Sequence, residues 1–285
     1  MDIKKSKWLS LFVIASIYIF AFGIGLTVYN LHNFKPFLNL LVADIIATIV
    51  VFIFSLIFKN ASVYDPYWSV QPIFIGVAFM VKYGYSLMGL ILLIAVCVWG
   101  IRLTINWLQE FHDFSYQDWR YIHLKEKTGK FYPIINFIGI HLVPTLVVYA
   151  CVLPLVYTII YKPKFNYFSM IFVAVCIGAV VLQTISDIQM RNYRKNRTTN
   201  FIRTGLWKYC RHPNYLGEIS MWWGIGLATI ITMPSMWPLI LGAFINTLLF
   251  LFVSIPMQDG RQSKKKGFEL YKKQTRSLLP IYKKQ

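Results

Sequence analysis

Uninterrupted apolar windows about as long as a bilayer is thick recur along this 285-residue chain and limit what it can fold into. A hydrocarbon core of about 30 Å takes roughly 20 apolar residues per helix, and with no water to satisfy it the backbone must pair within the segment. Residues 8–29 and 37–58 carry no charge except Asp44, and 86–108 carries only Arg102. Residues 134–161, 168–185 and 215–257 complete the set. The last run holds Pro234 and Pro238 near its middle. Proline removes a donor and disfavours helix in the residue before it, so this run reads as two spans joined by a tight turn. The stretch 68–81 is short and contains Pro72, which predicts a tilted or re-entrant helix. The pattern predicts an all-α, polytopic membrane bundle with seven clear spans, or eight if the short one crosses. Composition agrees: 57% of residues are hydrophobic and 14% charged, where an average soluble domain has about 25% charged.

Lys4, Lys5 and Lys7 before the first window resemble the start of a signal peptide. The apolar run is too long for a removable segment and no small-residue cleavage site follows, so an uncleaved first helix is the reading, with a cleaved signal as the alternative. With eight crossings, 24 of the 29 Lys and Arg residues fall at the N-terminus, in alternate loops and in the tail. Translocation disfavours basic loops, so that side and both termini are expected in the cytoplasm, at a bacterial inner membrane or endoplasmic reticulum. Topology thus accounts for most of the net charge of +18 without nucleic acid, and membrane lipids with anionic headgroups are natural partners. The four cysteines form no C-x-x-C pair, and neither a disulfide framework nor a metal site is expected.

A charge placed in or beside hydrocarbon is costly and usually has a partner or a task. Asp44, Arg102 and Asp187 are three such charges, and Asp65 lies in Val63-Tyr-Asp-Pro-Tyr-Trp-Ser-Val-Gln-Pro72. Asp65 reads either as a helix cap beside Pro66 or as a carboxyl held half-buried among Tyr64, Tyr67 and Trp68. Such surroundings raise a carboxyl pKa and suit it to donate to a carbonyl. Farther on, Arg191 and Arg194 lie one helical turn apart, continuing the sixth span, where their guanidinium groups can converge on phosphates. Arg211-His-Pro-Asn-Tyr215 leads into the seventh span, whose first N–H groups form an anion site. Glu218, one turn in, can grip a ribose hydroxyl or an amide, or pair with Arg211.

On these residues the chain resembles a superfamily of membrane enzymes that holds the steroid 5α-reductases with an uncharacterised, DUF1295-type bacterial branch, the sterol C14 reductases, and the isoprenylcysteine and phospholipid methyltransferases. The Arg-His-Pro-x-Tyr-x-Gly core, Arg211 to Gly217, is common to its reductases and methyltransferases. Ser186-Asp187 with Arg191 and Arg194, then Asn214 to Glu218, is similar to the cofactor half of steroid 5α-reductases, and Tyr64-Asp65 aligns with their Gln-Glu pair. Trp99-Gly-Ile-Arg-Leu and Asp118-Trp-Arg-Tyr121 resemble the bacterial branch.

The resemblance implies an oxidoreductase acting on CH–CH groups, which uses NADPH to reduce an enone in a steroid-like or other lipophilic substrate. Arg191, Arg194 and Arg211, beside His212, would meet the phosphates; Asp187, Asn214, Tyr215 and Glu218 would hold ribose and nicotinamide. Asp65 with Tyr67 and Tyr64 would polarise the carbonyl. Residues 1–130 would form the substrate chamber and 131–285 the cofactor site. Aspartate in place of glutamate, tyrosine in place of glutamine, and Pro256 where the reductases carry a late arginine are departures that leave the substrate open. The main alternative is an S-adenosylmethionine-dependent methyltransferase, whose relatives carry paired glutamates where this chain has only Asp259. A non-enzymatic lipid-binding or transport protein is the second, and scattered histidines disfavour a di-iron desaturase.

Overall fold

A computed structural model of the chain describes residues 5–31 and 34–280. Lys4 of the basic N-terminus, His32 and the last lysines of the tail lie outside the described residues. The described chain consists of helices joined by short connections. The long ones are α1 (Lys7–Leu31), α2 (Pro36–Phe58), α3 (Tyr67–Tyr83), α4 (Leu87–Glu110), α5 (Trp119–Tyr161), α6 (Ser169–Lys195), α7 (Pro213–Thr232) and α8 (Pro234–Gln262), followed by the short α9 (Phe268–Gln274).

Among the described residues, six helices are long and apolar enough to cross a membrane: α1, α2, α4, α5, α6 and α8. The seven clear spans expected from the sequence included α7, which falls short because Asn214, Glu218 and its tryptophans dilute the apolar run. At 17 residues α3 is as brief as anticipated. Large side chains such as Trp8, Ile19 and Phe252 stand exposed along the spans, as hydrocarbon-facing residues do. The prolines in 215–257 act as expected: α7 ends before Pro234, and Pro234–Ile240 form a tight 3-10 segment.

α5 is not uniform. Gly129, at φ +51°, breaks its first turns from the rest, and Asn136–Leu142 widen into a π-helix, a form that recurs at functional sites.

The helices group into two compact units that do not follow a cut near residue 130. Unit 1 comprises residues 1–75 and 103–153, and unit 2 residues 76–102 and 154–285. The core of unit 1 is aromatic: Phe22 stacks on Phe74 at 4.4 Å and on Tyr67 at 5.6 Å, with Tyr18 edge-on to Tyr67 at 5.4 Å. Unit 2 is built on close backbone approach between α6 and α7. A methyl group on Gly217 would lie 2.8 Å from the Ala179 carbonyl oxygen, and one on Gly224 2.9 Å from that of Phe172. Small residues at such crossings let membrane helices pack where no hydrophobic drive exists between them. The glycine of the Arg-His-Pro-x-Tyr-x-Gly core is therefore a packing residue.

Candidate functional site

In unit 1, the turn after α2 positions Asp65. Lys59 ends the helix in the left-handed region (φ 54°), with its N–H on Leu56 and that of Asn60 on Ser55, the Schellman arrangement. The Asn60 side chain accepts from the Ser62 N–H at 2.8 Å and donates to the carbonyls of Phe114 and Tyr116 at 3.0 and 2.8 Å. Those three bonds tie the Ala61–Tyr64 turn to the segment before α5. Ser62 Oγ accepts from the Asp118 N–H, and Asp118 caps α5 and pairs with Arg120 Nε at 2.7 Å.

The consequence is that the Tyr121 hydroxyl donates to Asp65 Oδ1. The side chain of Asp65 thus engages a phenol through Oδ1. Two sequence stretches singled out separately, Tyr64–Pro72 and Asp118–Tyr121, meet at this carboxyl. Asp65 is half-buried, and burial pushes its pKa up to about 6; Arg120 and the hydrogen bonds from Tyr121 and Ser62 pull the other way, and Asp118 adds to the rise. Such an acid changes protonation near neutrality, as a general acid must. Tyr64 and Tyr67 are buried beside each other with ring centroids 5.5 Å apart.

The cofactor candidates all lie in unit 2, and several are already engaged. Asp187 pairs with Arg102 at 2.7 Å, which gives the charge inside α4 its counter-ion. Glu218 is buried and accepts from Trp99 Nε1 at 2.8 Å, Trp222 Nε1 at 2.9 Å and Gln183 Nε2 at 3.0 Å.

Arg211 requires a correction. Its guanidinium is buried, bound to Asp259 Oδ2 at 2.7 Å and donating to the Thr275 and Lys272 carbonyls. His212 Nε2 meets Asp259 Oδ1 at 2.9 Å, and the backbone N–H groups of Arg211 and His212 donate to the carbonyls of Arg276 and Ser277. These two residues clamp the tail to the loop before α7, and Arg211 presents no open fork to a phosphate. Glu218 accordingly does not pair with Arg211. Tyr215 stacks on the His212 ring at 5.1 Å, and Asn214 holds a buried side-chain oxygen without a hydrogen-bond partner.

Arg191 and Arg194 extend from the last turns of α6, as the spacing predicts, half-buried and exposed respectively. The structure adds neighbours that sequence reasoning missed. The Lys265 ammonium is pushed down by burial and further by the positive charges of Arg197, Arg261 and Arg194. Positive charges from α6, its following loop and the end of α8 thus act on a lysine in the turn beyond α8. The tail's excess of lysine hinted at this, but the pairing across some 70 residues has no local signature. Gln183, Trp99 and Trp222, which hold Glu218, were likewise not foreseen as a set.

The family described as "Protein of unknown function (DUF1295)" matches residues 51–276, most of the chain and both of these clusters. The chain belongs to that family. It is also similar to an uncharacterised protein, C594.04c, of the fission yeast Schizosaccharomyces pombe (strain 972), with 24% identity over 233 residues, 72% of this chain and 68% of the yeast protein. No solved structure matches the chain. This DUF1295 protein carries a half-buried acid in unit 1 and, described separately, a set of basic residues in unit 2.

Proposed function

We propose that this membrane protein is an NADPH-dependent reductase of an activated C=C bond in a lipophilic, steroid-like or related substrate. The observation that carries the reading is the gathering of Arg194, Arg197 and Arg261 about Lys265. Guanidinium groups set beside one another and beside a lysine suit phosphate, which their planar forks can meet with two hydrogen bonds. S-adenosylmethionine brings a sulfonium cation and no phosphate, so the same cluster repels it.

Arg191 and Arg194, with Arg197, Arg261 and Lys265, would hold the phosphates. Asn214, whose buried side-chain oxygen has no partner, and Glu218 with its three N–H donors would face the polar remainder. When bound, NADPH supplies a hydride. The chain's own contribution is a proton: Asp65, kept partly protonated by burial and aligned by Tyr121, donates to the oxygen of a carbonyl conjugated with the reduced bond. We read the basic ends as cytoplasmic, where NADPH resides.

The test is thermal protection of the detergent-purified protein by NADPH, NADH and S-adenosylmethionine; a ligand at 100 times its dissociation constant adds about 2.7 kcal/mol. NADPH should protect most, through its extra phosphate, and Lys265→Glu should weaken it. Protection by S-adenosylmethionine alone would overturn the reading in favour of methyl transfer. Asp65→Asn should abolish turnover and leave NADPH protection intact; normal turnover in that variant removes Asp65 from the chemistry.

A further inference from the structure

Unit 1 contains a second polar cluster, distinct from Asp65. Three helices each contribute two polar residues four apart: Asp44 and Thr48 from α2, Tyr67 and Gln71 from α3, His141 and Thr145 from α5. A spacing of four puts both members of each pair on one helix face, and all six are buried. They are joined. Gln71 Nε2 donates to Asp44 Oδ2 at 2.7 Å, Thr48 and Thr145 hydroxyls meet at 3.0 Å, and the Tyr64 hydroxyl meets Thr145 at 2.8 Å. The Tyr64 ring lies 4.7 Å from that of His141 and 5.5 Å from that of Tyr67.

Polar side chains between membrane helices often serve only to hold them together. A cluster with that sole task would pair every atom, since an unmatched polar atom in an apolar interior is costly. Here it does not. Gln71 Oε1 and His141 Nε2 are buried without a hydrogen-bond partner, and the Tyr67 hydroxyl, beside Thr48, makes no bond of ordinary geometry.

The chemistry of the open atoms is specific. Asp44 fixes the Gln71 amide with its N–H₂ toward the carboxyl, which leaves the carbonyl oxygen open. His141 Nδ1 faces the Asn136 carbonyl at 3.0 Å, which can only accept, so Nδ1 carries the hydrogen and Nε2 of the neutral ring is a lone-pair acceptor. Two open acceptors and one phenol call for a donor. His141 also sits in the π-helical part of α5, where the widened turn re-aims side chains.

We propose that this cluster is a binding site for the hydroxyl group of a lipophilic alcohol, which donates to His141 Nε2 or Gln71 Oε1 beside the Tyr67 phenol. A ketone or ether of the same shape can at most accept from the Tyr67 hydroxyl and leaves both open acceptors without a donor. The inference goes beyond the reductase reading and does not rest on it: the hydroxyl is held here, whereas the acid of the proposed reaction is Asp65.

The probes are cholestanol, its methyl ether and its ketone, at equal mole fraction in nanodiscs holding the full chain, with thermal protection as the readout. Cholestanol should bind about tenfold more tightly than either analogue, ~1.4 kcal/mol, and His141→Phe and Gln71→Leu should each shrink that preference. Equal protection by all three in the wild type, or an undiminished preference in both variants, overturns the site. If a variant does not fold, the wild-type comparison decides alone. NADPH protection in parallel samples reports on the reductase reading separately, so either can fail without the other.

Discussion

The two units treat their buried acids differently. In unit 2, Asp187 faces the Arg102 guanidinium, Asp259 faces Arg211 and His212, and Glu218 accepts three N–H groups. In unit 1, Asp44 meets an amide and Asp65 a phenol. Asp187 and Asp259, matched by cations, are fixed as acceptors and bind elements together, whereas Glu218 meets only neutral N–H donors and burial raises its pKa. Asp65, met by a neutral phenol, keeps both protonation states within reach. Under the two proposals above, unit 1 would handle protons and hydroxyl groups, while the cation-matched acids of unit 2 tie its elements together.

The sharpest way to break this contrast is to remove an acid from each unit. Asp259→Asn leaves a buried guanidinium without its counter-charge, and loss of one partner of a buried pair typically costs about 3–5 kcal/mol. Unfolding in mixed detergent micelles should show a loss of that order, with little loss for Asp65→Asn. Equal losses would mean that the acids of the two units do the same work.

A smaller effect is expected at the α6–α7 crossing. Gly217→Ala sets a methyl against the Ala179 carbonyl oxygen, and overpacking of this kind costs about 1–3 kcal/mol. The same unfolding measurement checks it. An unchanged stability would return that glycine to the cofactor site.

The gentlest test is pH. With a folded pKa raised to about 6, Asp65 binds its proton more tightly in the folded chain than in the unfolded one. Its protonated form acts as the acid, so kcat/KM should fall as pH rises through about 6. Stability should fall over the same rise, between the unfolded carboxyl value of about 3.9 and the folded one. Asp65→Asn should flatten that limb of the stability profile.

Much of this was legible in the chain. Hydropathy marks each long apolar helix because lipid admits no other backbone, and Pro234 and Pro238 mark the break between α7 and α8. The extension of α6 past the apolar run to Lys195, carrying Arg191 and Arg194 with it, follows from helical spacing alone. So does the placing of Asp44 and Thr48 on one face. What each face meets was not legible. Arg211 reads as a phosphate ligand until Asp259, 48 positions away, is found against it. Gly217 reads as part of a cofactor motif until the Ala179 carbonyl is found beneath it, and nothing in the sequence foretells the Tyr121 hydroxyl at the Asp65 carboxyl.

The sequence by itself determined that this chain is a membrane-spanning helical bundle and which residues share a helix face, because the bilayer and the helical period act locally. Tertiary structure decided which polar groups are satisfied by the protein and which remain open, because that depends on partners brought together from distant parts of the chain.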